Sequence, residues 1–155
     1  MEINIAFALS HKGVFEKKHF GDADKYQIYH LSNETFKLLY EEENPFKSMD
    51  ESSSHGTEKK AGNIIDFLDQ KNVSVVVSRR FGPNIKHIGK HFIPVEVSEE
   101  TPINVQPILL KHIRWLQEEL DKQADYYNKF VINKGILKLS IPKPKNNNEK
   151  RKNLS

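Results

Sequence analysis

Histidine and arginine are the side chains of this chain best suited to chemistry. Cysteine is absent from its 155 residues, which excludes disulfides, zinc ribbons, thiol redox chemistry and cysteine-held iron–sulfur clusters. The seven histidines, His11, His19, His30, His55, His87, His91 and His112, are then the only soft nitrogen ligands. A neutral imidazole nitrogen can bind iron or another transition metal. Arg79 and Arg80 are adjacent and offer planar donor forks to an anion. His87 and His91 share a helical face at i, i+4, but without an intervening glutamate or a third ligand the spacing reads as coincidence. His30 falls in a strand-like segment and His112 in a helical one, where packing or surface roles are expected. The serines lack a GxSxG setting, and there is no P-loop or GxGxxG pattern. A non-enzymatic protein is therefore expected.

The elements that must position these side chains fit one domain of 18.0 kDa, with 37% hydrophobic and 29% charged residues. No apolar run approaches the ~18 residues of a membrane span, and the apolar N-terminus has no basic segment before it, so neither a membrane protein nor a signal peptide is expected. A cytoplasmic location follows as the simplest expectation. The net charge of +3 belongs to the C-terminus. Residues 143–155 hold five basic residues against one acidic, leaving 19 basic and 20 acidic in residues 1–142. A nucleic-acid-binding body should be basic itself, so nucleic acid is expected at most through that tail.

Residues 3–9 (INIAFAL) and 73–77 (VSVVV) read as buried strands. Tyr26–Leu31 and Thr35–Tyr40 flank Ser32-Asn33-Glu34 as a hairpin. Residues 42–62 have the composition of a mobile loop, followed by a helix with Ile64, Ile65, Phe67 and Leu68 on one face. Asn84 is expected to cap a helix reaching His91. Residues 93–97 form another strand, and Asn104 is expected to cap a long helix with Pro107 in its first turn. Val105, Leu109, Ile113, Leu116 and Leu120 recur along that helix at helical spacing. KFVI and ILKLS flank Asn133-Lys134-Gly135 as a possible second hairpin. The order predicts a three-layer α/β domain, a mixed sheet with helices on both faces. It is divided here into a domain at 1–124, an extension at 125–141 and a basic disordered tail at 142–155.

Several short patterns then occur in a telling order: His19-Phe20-Gly21, the strand Tyr26–Leu31, Asn44-Pro45, His55-Gly56 and Phe81-Gly82-Pro83-Asn84. Together they resemble the nitrogenase iron–molybdenum cofactor biosynthesis family, also described as dinitrogenase iron–molybdenum cofactor domains, over roughly residues 1–124. The resemblance implies a ribonuclease-H-like fold with a five-stranded mixed sheet of order 3-2-1-4-5, the second strand antiparallel. It also implies a carrier or chaperone of iron–sulfur-type cofactor precursors, partnered by a cofactor-synthesising or receiving protein.

On that strand order the loops after residues 3–9 and 73–77 meet at the carboxyl ends of parallel strands, where open α/β sheets bind ligands. Ser10, Lys12, Phe20, Gly21, Ser78, Arg79, Arg80, Gly82 and Asn84 would surround an anionic cluster, and His11, His19 and His55 would ligate its metal. The bland alternatives are that Arg79 and Arg80 pair with Asp22, Asp24 or Glu16, that only one arginine faces the crevice, and that His19 closes its own loop. A nuclease is disfavoured because the first strand lacks an acid, leaving Asp66 and Asp69 as solvent-facing helix residues. The alternative function is an interaction or regulatory module that binds no metal and uses its tail for nucleic acid or an acidic partner.

Overall fold

The N-terminal apolar run is the hub of the sheet in a computed structural model that describes residues 2–49 and 54–140. The chain runs β1 (Glu2–Leu9), β2 (Lys25–Ser32), β3 (Thr35–Glu43), α1 (Ser54–Asp69), β4 (Val73–Ser78), α2 (Ile85–Ile88), β5 (Ile93–Val97), α3 (Pro102–Lys111), α4 (Ile113–Asp121), β6 (Lys129–Asn133) and β7 (Ile136–Ser140). The strands lie in the order β3-β2-β1-β4-β5-β6-β7. The expected 3-2-1-4-5 arrangement is present, with β2 antiparallel to both neighbours. The C-terminal hairpin lengthens it, because β6 pairs in parallel with β5.

Alternation along the strands divides the core into two layers. Ile5, Phe7 and Leu9 face a cluster shared with Val75, Val77, Val95, Leu109, Leu116 and Phe130 beneath α3 and α4. Ala6 and Ala8 face Phe20, Tyr26, Ile64, Leu68 and Phe92 beneath α1 and α2. Phe7 is fully buried against the rings of Phe15 and Tyr29, at 5.5 and 5.3 Å. Val73 and Val76 share a face despite their odd spacing, because the β1–β4 register shifts between Asn4 and Ile5 and skips Ser74. Both hairpins close through two residues at positive φ, Asn33-Glu34 and Lys134-Gly135, the geometry that suits strand twist.

Three local expectations are corrected. Residues 54–62 belong to α1 and not to a loop, since Ala61, Ile64, Ile65 and Leu68 anchor that helix on the sheet; residues 50–53 lie outside the described residues. The cap of α3 is Thr101, whose hydroxyl accepts the Asn104 amide at 3.3 Å. Asn104 is thus inside the helix, as is Pro107, which sits beyond the first turn. The long helix also breaks at His112, whose φ −111° and ψ 23° leave helical geometry between α3 and α4. The tail expected to be disordered, 142–155, lies outside the described residues.

Glu119 joins α4 to the hairpin. Its carboxylate is 3% exposed, accepts the Asn128 amide at 2.9 Å and pairs with Lys122 at 2.8 Å. Burial pushes its pKa up, but the Asn128 amide and the Lys122 ammonium outweigh burial and hold it below the ordinary glutamate range. A carboxylate lowered in the folded state stabilises above its unfolded pKa, and that stability drains as pH falls through the folded value. Glu119→Gln is accordingly expected to flatten the acid limb of a stability–pH profile below the ordinary value of 4.5. Urea melts from about pH 3 to about pH 7, across the carboxylate range, would check it; an unchanged limb would show that the pair contributes nothing.

Candidate functional site

The parallel strands β1, β4, β5 and β6 all end on one side of the sheet, at Leu9, Ser78, Val97 and Asn133. The loop leaving β1 is held by Asp24. Its amide bonds Leu9 O at 3.0 Å, and its carboxylate accepts the His11 amide at 2.9 Å and pairs with Lys47. The Lys47 hydrogen bond, then the His11 amide, keep the Asp24 carboxyl below the usual range. The His11 ring is exposed, and its Nε2 lies 2.9 Å from a Glu43 carboxylate oxygen at the end of β3.

The loop leaving β4 turns at once. Ser78 Oγ donates to Arg80 O at 2.9 Å and accepts the Arg80 amide at 3.4 Å. Extended geometry therefore stops at Ser78, and both arginines line one cleft instead of pointing apart. This cleft, of about 440 Å³, is bounded by Lys17, Arg79, Arg80, Glu96, Ser98 and Asn133. Among the described residues none of its three cations has an ion-pair partner, while the nearby acids are committed elsewhere. Asp22 pairs with Lys60, Asp24 with Lys47, and Glu96 with Lys129 at 3.5 Å. Glu16 accepts the Lys18 amide, and Glu100 accepts the amides of Ser98 and Gly135. The cleft is left cationic, and the alternative pairing of the arginines with Asp22, Asp24 or Glu16 does not occur.

A second, smaller cleft of about 260 Å³ lies beside it, lined by His19, Gly21, Asp22, Lys60, Phe81 and Asn84 among others. The two loops are stitched by the Phe20 amide on Arg80 O at 2.8 Å. Gly82 sits at φ +68°, and a Cβ there would lie 2.5 Å from His19 Nδ1, so the exposed imidazole rests directly on a bare backbone. The His19 ring has no hydrogen-bond partner among the described residues, while the His19 carbonyl accepts the Asp22 amide at 2.8 Å and so closes its own turn. Lys60 is 2% exposed, with Nζ 2.7 Å from Asp22 Oδ1 and 3.2 Å from Lys47 O.

Two expected site residues, Phe20 and Gly21, also serve the framework, together with Tyr26 and Asn44. Phe20 is 1% exposed and stacks on Phe81 at 5.5 Å, a core ring that borders the second cleft. Tyr26 Oη donates to Phe20 O at 2.7 Å, and burial pushes its pKa up, keeping it a donor. Gly21 lets α1 approach, since a Cβ would meet Ile64 at 3.2 Å. Asn44 Nδ2 bonds Gly21 O and Ala23 O at 2.9 and 3.0 Å, which accounts for the Asn44-Pro45 pattern as a loop clasp.

Ser78 is used in its own turn. Asn84 makes no capping bond, and α2 is a single turn ending at Ile88, too short to supply the expected helix-end dipole. Ser10 Oγ is buried without a hydrogen-bond partner among the described residues, and Lys12 is exposed in the turn after β1. His55 lies in the first turn of α1 and not on a mobile loop; its side chain is outside the described ones. Among the described residues, which leave out the His55 side chain, no three His, Asp or Glu side chains gather into a group that could hold a metal ion. Lys17, Ser98 and Asn133 were invisible to sequence reasoning because the last two reach the cleft only through the β5–β6 pairing.

The chain is thus a three-layer α/β domain with a cationic cleft at the carboxyl ends of its parallel strands. The chain belongs to the dinitrogenase iron-molybdenum cofactor family, whose profile matches residues 1–105. Among solved structures it is similar to the NMR structure of a “putative dinitrogenase” from Methanococcus jannaschii. The identity is 10%, over 73% of this chain and 91% of that one, with a TM-score of 0.47. No curated protein matches. Among the described residues no helix is long and apolar enough to cross a membrane.

Proposed function

We propose that this protein is a non-enzymatic carrier that holds an anionic iron–sulfur-type cluster, or an iron–molybdenum cofactor precursor, as cargo. The observation that supports this most is the unneutralised Lys17, Arg79 and Arg80 cleft, in a family whose description concerns that cofactor. The donor set suits a cluster with negative charge. Guanidinium forks bind its outer atoms, and the unpartnered His19 imidazole in the adjoining cleft supplies one metal ligand. One ligand and surface charge hold cargo loosely enough for transfer, as between a cofactor-synthesising and a receiving protein in the cytoplasm.

Anaerobic reconstitution with iron and sulfide, followed by metal counting and absorption spectra, tests this reading. Wild type is expected to bind stoichiometrically. Arg79→Ala/Arg80→Ala should bind roughly tenfold or more weakly, as expected for loss of charge-assisted contacts, and His19→Ala should alter the spectrum. Binding no greater than that of a control protein of equal charge would overturn the proposal.

A further inference from the structure

A different cleft, of about 680 Å³, opens at the opposite end of the sheet, where β5 and β6 begin and β7 finishes. Its lining includes Lys86, Lys90 and Lys129, the rings of Tyr126 and Tyr127, and Pro94, with no carboxylate. Lys86 and Lys90 are exposed and have no ion-pair partner among the described residues. Lys129 is shared with Glu96 at 3.5 Å. The nearest acid in sequence, Asp125, is exposed and does not line the cleft.

Backbone bonds hold the segment that follows Tyr126. The Tyr127 amide bonds Gly89 O at 2.7 Å and the Asn128 amide bonds Glu119 at 2.9 Å, which pins the loop over the end of α2. Tyr126 is nevertheless 63% exposed, an aromatic face held out to solvent beside unneutralised lysines. Ser140 also lines the cleft, and the sequence beyond it carries Lys143, Lys145, Lys150, Arg151 and Lys152 against Glu149. The cleft walls from Tyr126 onward, and this basic segment, lie outside the family match at 1–105.

We propose that this cleft binds single-stranded nucleic acid. A base stacks on Tyr126, and the phosphates run past Lys86, Lys90 and Lys129. An exposed aromatic face next to cations fits any base, whereas an acidic peptide would use the charges and leave the ring idle. The site is independent of the cargo cleft, so either reading can fail without the other.

Anisotropy titration of the full-length protein with a labelled mixed-sequence single strand, at low and moderate salt, tests it. Binding should weaken with salt. Tyr126→Ala should lower affinity roughly tenfold without changing the thermal melt. Lys86→Ala/Lys90→Ala should reduce the log–log salt slope by about 0.7 per lysine, and the loss caused by Tyr126→Ala should persist when the five basic residues beyond Ser140 are changed to Gln. The proposal is overturned by no binding at low salt, by wild-type affinity in Tyr126→Ala with all binding lost in the Gln variant, or by poly-glutamate binding equally well irrespective of Tyr126.

Discussion

Asp22→Ala should destabilise the domain by about 3 kcal/mol, while Lys60→Met should cost only about 1 kcal/mol. The asymmetry follows from exposure. Lys60 Nζ is almost wholly buried between α1 and the β1 loop, whereas Asp22 is 32% exposed. Removing the carboxylate takes from the buried ammonium the acceptor that lies 2.7 Å from Nζ, while the contact with the Lys47 carbonyl stays. Removing the ammonium leaves a carboxylate that water can reach, and methionine refills the space beside Ile64 and Gly21. Thermal melts should show Tm falling by roughly 6–12 °C for Asp22→Ala and by much less for Lys60→Met. Equal losses in the two variants would show that packing of the lysine stem, and not charge, holds this corner.

Gly82→Ala is the second large effect, and it reaches the candidate site. An alanine at φ +68° carries a left-handed penalty of about 1–2 kcal/mol, and its Cβ would collide with the His19 ring. The imidazole must swing away, so His19→Ala in the same background should recover the steric part and leave only the backbone penalty. Chemical-shift mapping should find His19, Phe20 and Arg80 perturbed together, because the Phe20 amide and Arg80 carbonyl are bonded. Additive losses in the double variant would show that the ring does not rest on Gly82 in solution.

The frame was legible from the residues because its strongest signals are local. INIAFAL and VSVVV are apolar runs interrupted only by Asn4 and Ser74, and they read as strands buried on both faces. Asn133-Lys134-Gly135 was legible as a turn through its glycine, which takes φ +77° beside Lys134 at +51°. The start of α1 was not legible. Ser52-Ser53-Ser54 and Gly56 have loop composition, and the helix is secured by residues further on. Lys60 was equally opaque, since lysine is a surface residue unless a partner such as Asp22 is brought to it by tertiary folding. At the site, the residues were named more successfully than their grouping. Ser-Arg-Arg reads as an extended strand end until Ser78 Oγ folds the chain back. His11 and His19 look like one ligand set until Glu43 and Gly82 claim them separately.

Self-association through β5 is closed off in this chain. The matched family segment ends at residue 105, and up to that point β5 would present a bare backbone edge between Ile93 and Val97, a template for strand addition by another molecule. The β6–β7 hairpin fills that slot from within. It moves the end of the sheet to β7, a strand of five residues with Lys138 turned to solvent, and short lysine-bearing edges resist being extended. The extension beyond the family core is therefore an intramolecular plug, guarding an edge against edge-to-edge aggregation.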